Sequence, residues 1–116
     1  MLSVTIDNMS SVEQIKIFKK SADTIFDTGD YTSATILYFK TLFAIEDFIL
    51  LQKIGYAPKD YTERFALLKK NFPDAYKLID VEFNTYRDTY SKLIGKPTCL
   101  RIKKAVEDEI RTNKIF

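Results

Sequence analysis

Apolar side chains recur at helical spacing along most of this chain of 116 residues. The first apolar stripe predicts a helix from Ser10 to Gly29, and glycine suits the position just after a helix. A second predicted helix begins at Asp30, an N-capping residue, and reaches about Ile54. Gly55 ends it, so two helices joined by a tight turn account for the first half of the chain.

The second predicted helix is apolar on nearly every side, with only Lys40, Glu46 and Asp47 charged in its interior. A helix of that kind must be buried nearly all round. A central position in the core would bury it, and so would a subunit interface. Both arrangements stay open at this point.

Three further helices follow. Asp60 caps the third, Pro73 begins the fourth and Pro97 begins the fifth. Apolar and aromatic positions in the fourth are alternately three and four residues apart, a heptad seam that predicts packing within a bundle up to Gly95. The seam residues are Tyr76, Ile79, Phe83, Tyr86, Tyr90 and Leu93. The inward positions expected in the fifth helix are Ile102, Val106 and Ile110.

Residues 1–9 alternate between apolar and polar, a strand-like pattern with no second strand to pair with. We expect residues 1–9 to form an extended N-terminal arm and residues 10–116 to form a single helical-bundle domain. Three Gly and three Pro are too few turn residues for an all-β fold. The prediction is an all-α, up-and-down bundle of four to five helices.

The amino-acid composition limits the classes of protein to which the chain can belong. Apolar residues make up 46% of the chain and charged residues 29%, a typical globular balance, and no apolar stretch predicts a membrane span or signal peptide. The single cysteine, Cys99, cannot form an internal disulfide, which favours a reducing compartment. We expect a cytoplasmic protein in which Cys99 is buried.

The chain contains no histidine. Imidazole is the commonest general base near neutral pH and the commonest metal ligand, so histidine-dependent triads, zinc sites and di-iron bundles are excluded. Glu46 and Asp47 could bind Mg²⁺, but adjacent residues of a helix point about 100° apart and form a poor cage. We expect neither a metal nor a cofactor.

Six cations and one acid, Asp88, lie between Arg87 and Lys104. A local basic stretch suits a phosphate-bearing partner, although solvated helix ends also carry such charges. The candidate phosphate-binding residues are Arg87, Lys92, Lys96 and Arg101.

Two structural alternatives apply to this stretch. Arg87 could be an ordinary helix-boundary residue paired with Glu46 or Asp47 on the second helix. Tyr86 and Tyr90 could stack on bases, but their places in the heptad seam favour packing in the core.

The motif Gly-Asp-Tyr-x-x-Ala at residues 29–34 opens the long aromatic-rich helix, and the fourth helix carries Tyr-Arg-Asp at residues 86–88. Over roughly residues 10–113 this pattern resembles the HEPN family of small α-helical proteins. Many members are metal-independent RNases of toxin–antitoxin systems, paired with a minimal nucleotidyltransferase. Their motif is Arg, a polar residue, a few variable residues and then His, and two copies meet across a homodimer.

The resemblance implies that Arg87 binds phosphate and that Asp88 is the polar residue after it. Lys92 stands where the family has His. The ordinary pKa of a lysine side chain is about 10.4, so an ammonium there can bind phosphate but is poorly suited to accept a proton. We expect a non-catalytic binding or regulatory module that binds RNA, a nucleotide or a nucleotidyltransferase partner. We also expect a homodimer, with the second helix and parts of the fourth near the interface.

Two other functions stay open. The chain could be a metal-independent RNase of a toxin–antitoxin type system, in which Arg87 acts with a base other than histidine, such as Asp88 or a tyrosine. It could also be a purely structural interaction protein whose dimer interface is its function.

Overall fold

The computed structural model describes the backbone of residues 2–116 and the side chains from Ser11 onward. Its five helices are α1 (Leu2–Asp27), α2 (Tyr31–Ile54), α3 (Tyr61–Asn71), α4 (Pro73–Asp88) and α5 (Lys96–Thr112). The prediction of an all-α bundle is therefore confirmed. Among the described residues, no helix is both long and apolar enough to cross a membrane.

The N-terminal residues differ from the prediction. α1 begins at Leu2, so residues 2–9 are helical where an extended arm was expected, and Met1 lies outside the described residues. No Gly or Pro interrupts the chain between Leu2 and Thr28, so nothing there breaks a helix. A lone strand, by contrast, would leave its backbone groups without hydrogen-bond partners.

The ends of α2 follow the predicted capping residues. The Asp30 carboxylate accepts a hydrogen bond from the backbone N–H of Ser33 at 3.0 Å, which satisfies an otherwise unpaired donor of the first turn. Gly55 follows the helix at a φ of 87°, a left-handed conformation that favours glycine, and its N–H donates to the carbonyl of Leu51. The predicted bounds of α2 are confirmed.

α2 occupies the centre of the molecule and contacts each of the other four helices. Its largest fully buried side chains are Tyr38, Phe39, Leu42, Ile45 and Leu50. Of the two arrangements that would bury an apolar helix, the core position is the one present. It needs no second subunit, and the homodimer stays a prediction.

Consecutive helices alternate in direction except for α2 and α3. The rings of Phe43 and Tyr61 lie 5.4 Å apart, and Asp47, one turn further along α2, pairs with Arg64, further along α3. The two helices therefore run in the same direction, because residues 55–60 lead the chain back along α2 before α3 begins. The predicted up-and-down order does not include this parallel pair.

α4 ends at Asp88, earlier than the predicted end at Gly95. The Thr89 hydroxyl donates to the carbonyl of Tyr86 at 2.6 Å, and such a local side-chain bond competes with helix continuation. The chain then continues as turns and irregular structure until α5 begins.

Because α4 ends early, the last two residues of the predicted heptad seam lie outside the helix. Ile79 and Tyr86 are buried as predicted, but Tyr90 and Leu93 are 75% and 94% exposed. The prediction that these last two residues pack in the core is therefore wrong. In α5 the predicted inward positions are confirmed, and so is the burial of Cys99. The buried α5 residues are Cys99, Ile102, Val106 and Ile110.

Candidate anion-binding surface

Residues 89–95 connect α4 to α5 at one end of the bundle. The backbone N–H of Ile94 donates to the Thr32 hydroxyl at 2.8 Å, which ties this segment to the first turn of α2. The end of α4, the connecting segment and the start of α5 together carry most of the candidate residues. We call this region the α4–α5 surface and define it by Arg87, Tyr90, Lys92 and Lys96.

Arg87 lies in the last turn of α4 with an exposed side chain. Within the described part of the chain it forms no ion pair, whereas each of the other three arginines binds a carboxylate. Those pairs are Arg64 with Asp47, Arg101 with Glu82 and Arg111 with Asp108. The dipole of a helix favours a cation near its C-terminus, so Arg87 is stabilised without an acidic partner and stays accessible to an external anion.

The predicted pairing of Arg87 with Glu46 or Asp47 is wrong. Asp47 instead accepts two hydrogen bonds from Arg64, at 2.9 Å from Nε and 3.1 Å from Nη2. The guanidinium of Arg64 also lies over the ring of Phe43, 5.0 Å from its centroid. The parallel course of α2 and α3 brings Arg64 to this place, and nothing in the spacing of charges along the chain indicated it.

Two lysines add positive charge to the α4–α5 surface. Lys92 lies 3.4 Å from the carboxylate of Asp88, in an exposed pair of the kind that solvent and salt weaken. Lys96 is exposed in the first turn of α5, and the described side chains give it no ion pair. That first turn holds no acidic residue, so the partial positive charge of the helix N-terminus adds to that of the lysines.

Arg101, the fourth predicted phosphate-binding residue, is engaged within the protein. Its guanidinium donates to both carboxylate oxygens of Glu82, at 2.7 and 2.9 Å, and to the Thr85 hydroxyl at 3.2 Å. The hydrogen bonds from Arg101 lower the pKa of the Glu82 carboxyl, against the opposite effect of burial. An external anion would have to compete with Glu82, so we leave Arg101 out of the α4–α5 surface.

A chain of three tyrosine hydroxyls ends at this surface. The hydroxyl oxygen of Tyr86 lies 2.9 Å from that of Tyr61 and 2.7 Å from that of Tyr90. Burial and these two hydrogen bonds raise the pKa of Tyr86 well above the ordinary tyrosine value, so its phenol gives up its proton even less readily than an exposed tyrosine does. Tyr86 therefore belongs to the core, as predicted, whereas the ring of Tyr90 faces solvent.

The grooves of the described surface lie away from the α4–α5 surface: one along α1 has Lys16, Lys19 and Lys20 in its lining, and another lies near the opposite end of the bundle. A groove of about 250 Å³ opens between the α3–α4 junction and the end of α5, with Phe72, Asp74 and Glu109 in its lining. None of the candidate phosphate-binding residues lines it. Among the described side chains, no cluster of three or more metal-ligating residues is present, and Glu46 and Asp47 are not part of one.

Comparison of the chain with protein-family models, curated proteins and solved structures gives no match. The α4–α5 surface itself therefore carries the functional information. That surface combines an arginine without a carboxylate partner, two exposed lysines and an exposed aromatic ring.

Proposed function

We propose that the protein is a non-catalytic, HEPN-like binding module whose α4–α5 surface holds the phosphate groups of RNA or of a nucleotide. The observation that carries this proposal is Arg87, which is exposed and has no ion pair with any described side chain. A guanidinium can bind a phosphate through two parallel hydrogen bonds, which makes such an arginine a strong anchor. Lys92, on the connecting segment, and Lys96, in the first turn of α5, are exposed cations of the same surface.

The same surface supports binding better than catalysis. RNA cleavage through the ribose 2′-hydroxyl needs a group that accepts a proton, and the chain has no histidine to do so. Tyr86, like any tyrosine, is protonated near neutral pH, and burial raises its pKa further, so it does not supply that base. The carboxylate of Asp88 faces Lys92 at 3.4 Å. These features favour a site that retains an anion without reacting with it.

The direct test is a titration of fluorescently labelled single-stranded RNA with the purified protein at low salt, read by anisotropy. We expect an affinity that falls as salt rises, because phosphate contacts release counterions. Arg87→Ala should weaken binding several-fold. The matched control is Arg111→Ala, which removes an exposed arginine already paired with Asp108 and should leave the affinity unchanged. Equal losses in both variants, or no binding by the wild type, would overturn the proposal.

Incubation of the same RNA with the protein distinguishes binding from the RNase alternative. We expect the RNA to be recovered at full length after prolonged incubation. If the wild type produced fragments and Arg87→Ala did not, the site would be that of an RNase with an unconventional base, and the non-catalytic proposal would be wrong.

A further inference from the structure

Tyr90 is an exposed aromatic ring that the core holds in place. Its hydroxyl is hydrogen-bonded to that of Tyr86 at 2.7 Å, and the two rings meet edge to face with centroids 5.5 Å apart. Tyr86 is itself fixed by Phe39 and Phe43, whose ring centroids lie 5.3 and 5.1 Å from its own. An exposed tyrosine normally samples several rotamers, so this contact reduces the entropy that a ligand would have to remove on binding.

The hydroxyl chain also has an unused hydrogen. Three phenols carry three O–H protons, and the two bonds that link Tyr61, Tyr86 and Tyr90 use two of them. The third can be donated outward at one end of the chain, and Tyr90 is the more exposed end. The ring of Tyr90 therefore presents an apolar face and a polar edge to whatever binds beside Arg87.

We propose that Tyr90 is a stacking platform for an unpaired nucleobase, and that Tyr86 and Tyr61 are positioning residues that hold its ring. This inference rests on the proposed function, because Arg87 and Lys92 would bind the phosphates on either side of the stacked base. Aromatic side chains bind single strands by this kind of stacking, whereas bases within a duplex are already stacked on each other. The surface should accordingly prefer single-stranded RNA to duplex RNA.

The test compares a single-stranded RNA with inorganic polyphosphate of matched charge, which has phosphates but no bases. Tyr90→Leu should lower the affinity for RNA by at least about fivefold and leave the affinity for polyphosphate unchanged. Tyr90→Phe keeps the ring but loses the hydroxyl bond to Tyr86 that holds it, so it should lose less RNA affinity than Tyr90→Leu and none of the polyphosphate affinity. The control is Tyr56→Leu, which removes a tyrosine that is 51% exposed beyond the end of α2 and should change neither affinity.

Two further variants test whether Tyr61 and Tyr86 hold the ring of Tyr90 in position. Tyr86→Phe keeps the ring but breaks both hydroxyl bonds, so it should weaken RNA binding about as much as Tyr90→Phe does. Tyr61→Phe breaks only the bond to Tyr86 and should have a smaller effect, and neither variant should change polyphosphate binding. The protein has no tryptophan, so its intrinsic fluorescence comes from its seven tyrosines, and the Tyr90→Leu variant identifies the part that depends on Tyr90. Addition of RNA should quench that fluorescence in the wild type and much less in Tyr90→Leu.

The outcomes separate this inference from the proposed function. If the wild type binds both probes and Tyr90→Leu binds RNA as tightly as the wild type, the stacking role is wrong and the anion-binding proposal stands. If Tyr90→Leu weakens both probes equally, the ring supports the surface without stacking on bases, which also overturns the inference. If the wild type binds neither probe, the proposed function fails, and this inference fails with it.

Discussion

Nε of Arg64 lies 4.0 Å from Oε1 of Glu46, beyond hydrogen-bonding distance. The guanidinium is directed instead at Asp47, and Oε1 of Glu46 has no hydrogen-bond partner although the residue is only 3% exposed. Burial raises the pKa of the Glu46 carboxyl well above its ordinary value, and the charge of Arg64 only partly offsets that effect. The ionised Glu46 carboxylate therefore destabilises the folded protein, and this cost should make the free energy of unfolding depend on pH.

Glu46→Gln should remove a pH-dependent loss of stability. Because the carboxyl has a higher pKa in the folded protein than in the unfolded chain, the folded state binds more protons, and stability falls as the pH rises above about 4.3 toward the folded pKa. Urea unfolding from pH 4 to pH 8 should show a smaller decline for Glu46→Gln than for the wild type.

The control for this experiment is Asp80→Asn, which neutralises an exposed carboxylate on α4. It should leave the shape of the pH dependence unchanged. A wild type and a Glu46→Gln variant with parallel pH profiles would show that the Glu46 carboxyl titrates alike in the folded and unfolded chain, contrary to the structure.

Arg64→Met should destabilise the protein by about 2–4 kcal/mol, because it leaves two neighbouring carboxylates, Glu46 and Asp47, without a cation. Arg111→Met breaks an exposed pair with Asp108 and should have little effect. Thermal or urea unfolding at pH 7 measures both. Similar stabilities for the two variants would mean that the Arg64 pair contributes no more than a surface pair.

Arg101→Met should lower the stability of the protein without weakening RNA binding. It leaves the buried carboxylate of Glu82 without its main partner, so the free energy of unfolding should fall. Folding lowers the pKa of Glu82, so the Arg101 pair stabilises the folded protein above about pH 4.3, and that stabilisation is lost as the solution becomes more acidic. The wild type and Arg101→Met should therefore differ most in stability above that pH. RNA affinity at neutral pH should stay within about twofold of the wild type. A loss as large as that of Arg87→Ala would place Arg101 in the α4–α5 surface after all.

The homodimer expected from the sequence can be tested by sedimentation velocity at micromolar concentration. α2 is covered by the other helices of its own chain, so a dimer would have to use other surfaces, and Leu93, which is 94% exposed, is one apolar side chain free to take part. We expect a dimer that Leu93→Asp weakens. A wild-type monomer at that concentration would contradict the expectation.

Both ends of α2 and the start of α4 were predictable because short local signals mark them, whereas the start of α1 and the end of α4 were not. Asp30 and Gly55 bound α2 in the sequence and in the structure, since a capping carboxylate and a left-handed glycine act through neighbouring backbone groups. The burial of α2 was also predictable, because a helix apolar on all sides has to be covered.

The features that the sequence did not indicate depend on distant contacts. Arg64 reaches Asp47 only because α3 runs parallel to α2, and no local pattern encodes that direction. The heptad spacing continued through Tyr90 and suggested a buried ring, whereas the Thr89 hydroxyl bond accompanies an earlier helix end and Tyr90 is exposed. A periodic pattern identifies residues that share a helix face, but it does not show where the helix stops.

The central claim is that Arg87 anchors a phosphate group at the α4–α5 surface. The most direct measurement is the slope of log K against log salt concentration for single-stranded RNA, compared between the wild type and Arg87→Ala. We expect weaker binding at every salt concentration and a slope reduced by about one phosphate contact in Arg87→Ala, with both quantities unchanged in Arg111→Ala. Identical slopes and affinities for the wild type and Arg87→Ala would contradict it.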